Sequence, residues 1–419
     1  MIPFQLNTFL KVLTTRGEVE APGLEFVLRR LRLLTFFPMM AGSTAGLMSL
    51  DRLLFPFEQV KVDKPVFIVG SPRSGSTMLF RLLAHDTERF TAFRTWQLLT
   101  PALSVQKLVR RLDQLDQKLG GRGEQQLNRL QAQLFKGSDR FHRIRLQEPE
   151  EDEFLLAFAF ATEILANLFP VPEALMEYRQ FDQLSAERRQ ALMDFYRGCV
   201  QRLLYLDGPE RQLLSKSPLF SHKVKSLAET FPDGRFVLLV RHPAETCCSL
   251  VSMIRSYRKY IGLEEHAPGH VSDENIIKFV VDCYMLAADA LETLPPERYQ
   301  ILRYEQLLAA PQQTVVSLYQ ALGLEMSSAY RKKLEAEERR ILSYKSGHRY
   351  SAETLGISEA LLEQLAGPVY DRFGYARPVP AQPHMPAQPH MPAQPHMPAQ
   401  PHMPAQPHMP AQPHMPAQP

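Results

Sequence analysis

The sequence predicts an α/β fold with a central parallel sheet and large helical insertions. Residues 65–69 and 235–240 are short apolar runs bounded by turn residues, as expected for strands that are covered on both faces. Residues 299–302 form a third, shorter run of this kind. Long segments with apolar residues at helical spacing separate these runs, and this alternation is typical of α/β proteins.

The insertions are predicted from three helical segments. Residues 104–135 carry leucines at helical spacing, interrupted by glycines at positions 120, 121 and 123, which predicts a two-helix hairpin above the sheet. Residues 153–166 and 186–205 predict further helices.

The composition is that of an ordinary globular protein, with 45% hydrophobic and 22% charged residues. A formal net charge of +3 over 419 residues does not indicate a nucleic-acid-binding protein. The four cysteines have neither metal-site nor disulfide-framework spacing, so the cytoplasm is the expected location.

Three regions are predicted along the chain: a helical N-terminal extension over residues 1–60, the main domain over residues 61–377, and a disordered tail rich in Pro, His and Met over residues 378–419. From Ala381 the tail repeats Ala-Gln-Pro-His-Met-Pro six times. Two prolines in every repeat exclude regular helix or sheet. Weak metal binding by its histidines stays open, but a flexible tail without chemistry is the favoured interpretation.

Residues 33–50 are uncharged and follow three arginines, so a short membrane anchor or a weak membrane association is open. Pro38 and the glycines at 42 and 46 interrupt a stretch that is barely long enough to span a bilayer. A helix that packs on the core or lies near a membrane surface is therefore favoured.

The strongest local pattern is an apolar strand, a loop bounded by Gly70 and Gly75, and an amphipathic helix. The glycines let the loop curl so that backbone N–H groups point inward, and the helix adds its positive N-terminal end. The pattern predicts a pocket for a phosphate-like anion in a P-loop-type, three-layer fold. Ser76 stands where a nucleotide hydrolase has lysine, and the strand before Arg241 does not end in a magnesium-binding carboxylate.

The loop sequence GSPRSGST, residues 70–77, resembles the 5′-phosphosulfate loop of sulfotransferases that use 3′-phosphoadenosine 5′-phosphosulfate (PAPS). The resemblance is to the bacterial and tyrosylprotein-like branch, and it implies metal-independent transfer of a sulfuryl group to a hydroxyl or amine. The residues that it assigns to the donor are Ser71, Arg73, Ser74, Gly75, Ser76 and Thr77. Arg73 is also assigned to the transferred group.

A second element consists of a strand, Arg241-His242-Pro243, and Ser249 about two turns into a helix. An arginine at the carboxyl edge of a sheet and a nearby serine hydroxyl suit a phosphate monoester. This pair resembles the 3′-phosphate site of the same family. Lys216 resembles the lysine near the bridging oxygen of the phosphosulfate, although a strand-edge lysine in solvent is the alternative.

Two later segments extend the resemblance, and they add Tyr304 and Arg349 to the residues expected at the nucleotide. Tyr304 lies in the segment that follows the sheet, and Arg349 lies in a late basic loop. A solvated basic loop is nearly as good an explanation for the second segment.

Sulfuryl transfer needs a base, because the attacking hydroxyl or amine must lose a proton. Residues 150–153 form the acidic run Glu-Glu-Asp-Glu before an apolar segment, and crowded carboxylates raise one another's pKa values. The run resembles a signature of the bacterial branch. Glu151 is the preferred base, Asp152 the second and His222 a lesser candidate. Charge complementarity at a helix N-terminus explains the run equally well.

Two other classes of function remain: a P-loop nucleotide kinase or ATPase, and a nucleotide-binding relative without catalysis. The acceptor pocket is expected among residues 95–205, and a small molecule, a glycan or a lipid could fill it. The sequence does not predict the oligomeric state.

Overall fold

The sheet has five parallel strands in the order β2-β3-β1-β4-β5, in a computed structural model that describes residues 1–14, 24–134, 145–167, 173–260, 272–343 and 351–377. The strands are β1 Val66–Gly70, β2 Phe90–Thr91, β3 Gln212–Lys216, β4 Arg235–Val240 and β5 Tyr299–Arg303. The α/β fold class with a central parallel sheet is confirmed. All carboxyl ends of the strands lie at one edge, where ligands of such sheets bind.

The α-helices of the described residues are α1 Leu6–Thr14, α2 Leu24–Leu54, α3 Ser76–Ala84, α4 Thr95–Leu99, α5 Leu103–Lys118, α6 Arg122–Leu134, α7 Glu173–Met176, α8 Ala186–Asp207, α9 Val224–Thr230, α10 Pro243–Tyr260, α11 Asp273–Leu291, α12 Tyr304–Ala309, α13 Pro311–Ala321, α14 Ser328–Ser343, α15 Ala352–Leu355 and α16 Glu359–Phe373. Short 3₁₀ segments are Phe57–Gln59, Asp152–Ala159, Glu163–Asn167, Glu177–Gln183, Pro218–His222 and Pro296–Arg298.

Apolar side chains cover both faces of the sheet. Phe67 and Val69 of β1 belong to one hydrophobic cluster, whereas Val66 and Ile68 belong to a second cluster on the opposite face. This alternation follows from the two-residue period of a strand. It explains why β1 and β4, which are buried almost throughout, read as continuous apolar runs in the sequence.

One predicted helix is wrong. Residues 153–166 form two 3₁₀ segments instead of an α-helix, and Phe160 between them has a left-handed φ of 55°. The side chain of Thr162 donates a hydrogen bond to Glu153 across this break, 2.8 Å long. A buried polar contact and the packing of Phe160 against Phe9 and Phe37 therefore override the helical pattern.

The uncharged stretch at residues 33–50 lies inside α2, which continues through Pro38. Phe37 and Met48 are buried against the main hydrophobic core, while Phe36 and Met39 are exposed. Among the described residues, no helix combines the length and the apolarity needed to cross a bilayer. The predicted tail, residues 378–419, lies outside the described residues.

Candidate active site

The loop after β1 is anchored by a serine from a distant segment. The Ser221 hydroxyl accepts a hydrogen bond from the Gly70 N–H at 2.9 Å and donates one to the Gly70 carbonyl at 3.0 Å. Gly70 has a φ of 138°, and a Cβ there would lie 2.5 Å from the Leu239 carbonyl oxygen. Only glycine fits this close approach of two strands, so the loop starts at a fixed point.

The end of the loop is fixed by Gly75 and Tyr304. Gly75 has a φ of 91°, and a Cβ there would lie 2.3 Å from the Tyr304 ring. Gly75 is the N-cap of α3, whose first amides have no acceptor within the helix. These amides and the positive end of α3 form an anion-binding position.

The polar side chains of the loop differ in exposure. Ser71, Ser74 and Ser76 are buried, whereas Arg73 and Thr77 are exposed. The Ser74 hydroxyl has no hydrogen-bond partner within the described residues although it is buried. An unpaired buried hydroxyl lowers the stability of a protein, so the Ser74 hydroxyl is a candidate to bind a ligand.

Arg73 connects the loop to the second predicted element. Its Nε donates a hydrogen bond to the Ser249 hydroxyl at 3.0 Å, and its carbonyl accepts one from Arg241 Nη1 at 3.3 Å. The two predicted anion sites therefore adjoin one another directly. Arg73 itself has a left-handed φ of 69°, a conformation that costs energy for a residue with a side chain.

Arg241 is held by two further residues. Its guanidinium lies over the Tyr304 ring, 4.9 Å from the centroid, and donates to Glu245 at 2.8 Å. The Arg241–Glu245 pair is partly open to solvent, so a phosphate could compete with the carboxylate for the guanidinium. Arg349, the last predicted nucleotide contact, lies outside the described residues.

Lys216 and Glu151 form a close pair at the carboxyl end of β3. The Lys216 Nζ donates to Glu151 Oε1 at 2.6 Å. The Lys216 side chain is only 3% exposed, which contradicts the alternative of a lysine in solvent, while 18% of Glu151 is exposed. Lys216 also lies over the Phe80 ring of α3, so the pair adjoins the helix that follows the loop.

Asp152 is held firmly beside this pair. One carboxylate oxygen accepts a hydrogen bond from the Tyr196 hydroxyl at 2.5 Å, and the other accepts one from the Ser215 hydroxyl at 2.8 Å. Burial raises the pKa of Asp152 to about 6, although these two hydrogen bonds oppose the shift. Burial, and not the crowding that the acidic run suggests, is thus the main cause.

The remaining candidates lie in a buried network. Lys223 is 3.1 Å from Glu153 and 3.8 Å from Glu163, and His222 Nδ1 is 3.1 Å from Glu163. Burial raises the pKa of Glu153 to about 7 against the opposing effect of Lys223. Burial alone would also raise the pKa of Glu163, but this pKa is lowered, because the charge of Lys223 and the hydrogen bond to His222 favour the ionised carboxylate. Both His222 nitrogens are enclosed, since Nε2 faces Cys283 at 3.7 Å.

Three residues of the site were missed by the sequence analysis. Ser221 anchors Gly70, Tyr196 holds Asp152, and Ser217 has a buried hydroxyl with no partner within the described residues. Only Ser217 had a local signal, because it follows Lys216 directly at the end of a strand. Ser221 and Tyr196 reach their partners from distant parts of the chain.

The fold and the site together combine a parallel α/β sheet, a glycine-bounded loop at the N-terminus of α3, and a lysine–glutamate pair close to that helix. The model of the Sulfotransferase family matches residues 65–328 of the chain. The chain belongs to this family, and the matched range contains every element of the site described above. The recognition of a sulfotransferase from its loop is confirmed.

Several mycobacterial sulfotransferases are similar to this chain. The chain is 26% identical over 338 residues to the omega-hydroxy-beta-dihydromenaquinone-9 sulfotransferase Stf3 of Mycobacterium bovis and of Mycobacterium tuberculosis, covering 77% of this chain and 78% of each relative. The crystal structure of sulfotransferase STF9 from Mycobacterium avium superimposes with a TM-score of 0.65 at 16% identity, over 90% of this chain and 98% of that chain. For STF1 from Mycobacterium tuberculosis the TM-score is 0.60 at 21% identity, over 86% and 91%. These two structures share the fold.

Proposed function

We propose that this sulfotransferase uses PAPS as its donor, works without a metal, and sulfates a hydroxyl of a lipid-like acceptor. The observation that carries the proposal is the 2.6 Å contact between Lys216 and Glu151 beside the phosphate loop. It joins a cation suited to a leaving phosphate to a carboxylate suited to proton removal.

The residues present fit a doubly phosphorylated donor. The first amides of α3 and the unpartnered Ser74 hydroxyl suit the 5′-phosphosulfate end. Arg241 and Ser249 suit the 3′-phosphate, and Arg73 lies between the two positions. The contact of Arg73 with both Arg241 and Ser249 supports one continuous anion site rather than two distant ones.

The reaction follows from these roles. The acceptor oxygen attacks sulfur, the bond between sulfur and the bridging oxygen breaks, and the acceptor proton passes to the Glu151 carboxylate. Lys216 donates a hydrogen bond toward the leaving phosphate as negative charge develops there. Asp152 has both oxygens occupied, so we assign it to positioning: its bond to Ser215 aligns Glu151 with Lys216.

A lipid-like acceptor is proposed from the relatives and from the site. Stf3, the relative named above, is a sulfotransferase for a hydroxylated menaquinone. Glu151 is partly exposed, and Phe154, whose backbone N–H donates to the Glu151 carbonyl, is 36% exposed. An exposed aromatic ring close to the proposed base suits an acceptor whose hydroxyl lies at the end of an apolar chain.

The purified chain is given labelled PAPS or γ-labelled ATP, each with and without EDTA, together with one of four acceptors: a hydroxylated polyprenyl quinone, a phenol, a sugar or a tyrosine peptide. We expect label on the quinone alone. Label transferred from ATP and not from PAPS would identify a kinase. Transfer that EDTA abolishes would contradict the metal-free mechanism.

Calorimetry with adenosine 3′,5′-bisphosphate tests the donor site separately. Arg73→Ala/Arg241→Ala should bind about 100-fold more weakly than wild type, because two charge-assisted contacts are lost. The matched control is Arg331→Ala/Arg339→Ala, two exposed arginines of α14. Equal affinity of the first variant and wild type would refute the donor assignment.

A further inference from the structure

The hairpin formed by α5 and α6 exposes a stripe of leucines. Leu108, Leu112, Leu115 and Leu119 lie one helical turn apart along one side of α5 and its C-terminal end. Leu112 is 55% exposed and Leu119 is 80% exposed. An amphipathic helix normally turns such a stripe toward the core, so an outward-facing stripe requires an explanation.

The orientation of α5 is fixed by contacts on its other side. Asp51 accepts hydrogen bonds from the Leu103 and Ser104 amides at 2.7 and 2.8 Å, which caps the helix. Arg110 donates to the Leu206 carbonyl at 2.9 Å and pairs with Asp207. Because these anchors hold the opposite face against the core, the leucine stripe is directed outward by the fold itself.

Basic residues accompany the stripe. Arg111 lies one turn from Leu108 and from Leu115, and Lys118 lies one turn from Leu115. Residues 103–134 contain six basic and three acidic side chains, a formal charge of +3. Helices with a leucine face, a charged face and low mean hydropathy lie in the interface of anionic membranes, where long basic side chains reach the head groups.

The hairpin is connected to the catalytic segment. The α4 helix, which leads into α5, donates its Thr95 and Trp96 amides to the carbonyls of Glu148 and Leu146, both at 3.1 Å. Glu148 is three residues before Glu151. The exposed leucines and the proposed base are therefore carried by adjoining segments of the chain.

We propose that the α5–α6 hairpin docks this protein on an anionic bilayer surface, with the leucine stripe at the level of the acyl chains and Arg111 and Lys118 at the head groups. The bilayer would present a lipid acceptor to the side of the molecule that carries Glu151. This last role rests on the proposed acceptor, but docking itself does not. A second copy of the chain is the competing occupant of the stripe.

The test is co-sedimentation of the full-length chain with vesicles of phosphatidylcholine, alone or mixed with phosphatidylglycerol. Wild type should bind the mixed vesicles. Leu112→Ser/Leu119→Ser should bind them at least about tenfold more weakly than wild type, because two inserted leucines are lost. The matched control is Leu308→Ser/Leu342→Ser, exposed leucines of α12 and α14, which should bind as wild type.

The electrostatic part is tested by Arg111→Glu/Lys118→Glu, with Arg331→Glu/Lys332→Glu of α14 as the control of equal charge change. Only the hairpin variant should lose binding to anionic vesicles, and added salt should weaken wild type. Thermal unfolding checks that each variant is folded.

Several results would overturn the inference. Wild type could fail to bind anionic vesicles, or the leucine variant could bind like wild type. Loss of binding in Met39→Ser/Leu47→Ser of α2 alone would place docking in residues 33–50 instead. Ultracentrifugation that found a dimer broken by Leu112→Ser/Leu119→Ser would assign the stripe to a second copy. Affinity for adenosine 3′,5′-bisphosphate, measured on the same variants, separates these outcomes from a failure of the donor assignment.

Discussion

Two acid–lysine pairs of this protein start from the same acidic run but have different surroundings. Glu151 meets Lys216 at 2.6 Å, and Glu153 meets Lys223 at 3.1 Å. The Glu151 side chain is 18% exposed to solvent, whereas the Glu153 side chain is only 1% exposed. The first pair adjoins the phosphate loop, and the second lies in the interior with Glu163 and His222.

The difference indicates which pair can do chemistry. A carboxylate with access to solvent can exchange its lysine for a substrate hydroxyl, and its lysine can then turn to a leaving phosphate. A fully buried pair cannot exchange partners without leaving a charge unpaired, which costs several kcal/mol. The residue types and their positions in the run are nearly the same, so the proposed roles of the two pairs rest on their different access to solvent.

The largest expected effect is on transfer by Lys216→Met. Methionine keeps the length and the burial of the side chain but removes the charge. We expect the single-turnover transfer rate from labelled PAPS to fall by about 10² to 10⁴, since stabilisation of the leaving group is lost. Lys225→Met, an exposed lysine of α9, is the control. A rate within about threefold of wild type would exclude Lys216 from the reaction.

The same substitution at Lys223 should affect stability. Lys223→Met leaves Glu153 and Glu163 without their shared cation in the interior, and we expect the free energy of unfolding in urea to fall by about 3–5 kcal/mol. Lys225→Met again serves as the control. An unchanged unfolding midpoint would mean that the contacts of Lys223 with Glu153 and Glu163 do not stabilise the folded protein.

The pH dependence of stability reports on Glu153. Burial raises its pKa from 4.5 to about 7, so the folded state binds its proton more tightly than the unfolded state does. The resulting stabilisation is complete below pH 4.5 and is lost as the pH rises through about 7. Relative to Glu153→Gln, wild type should therefore lose about 3 kcal/mol over this range. Parallel stability curves for the two proteins would contradict this.

The smallest effect is expected at Glu245, which would compete with the proposed 3′-phosphate for Arg241. Glu245→Gln should bind adenosine 3′,5′-bisphosphate about two- to fivefold more tightly by calorimetry, because a partly exposed ion pair is removed. Glu274→Gln, which breaks another exposed pair at i, i+4 spacing, should leave the affinity unchanged. Weaker binding by Glu245→Gln would show that Glu245 orients Arg241 instead.

The features that the sequence predicted correctly are local. The strand, glycine loop and helix around Gly70 and Gly75 are visible because glycine, apolar runs and helical spacing are read over about twenty residues. The spacing of Arg241 and Ser249 is fixed by one strand end and one helix, and Ser249 lies in α10 as expected.

The features that were missed depend on distant contacts. Ser221 reaches Gly70 across 151 residues and Tyr196 reaches Asp152 across 44, and neither has a local pattern. The acidic run also could not be interpreted fully from local sequence. Its composition predicted crowded carboxylates at a helix start, but Glu151, Asp152 and Glu153 each contact a different partner. Which of them stays open to solvent depends on segments far away in the sequence.

The most direct test of the account compares Glu151→Gln with Glu153→Gln. Single-turnover transfer is measured at saturating PAPS, with the affinity for adenosine 3′,5′-bisphosphate determined on the same samples. We predict that Glu151→Gln lowers the transfer rate by about 10² or more while the affinity changes less than about twofold, and that folded Glu153→Gln transfers near the wild-type rate. Transfer by Glu151→Gln at the wild-type rate would contradict the assignment of the exposed pair to catalysis.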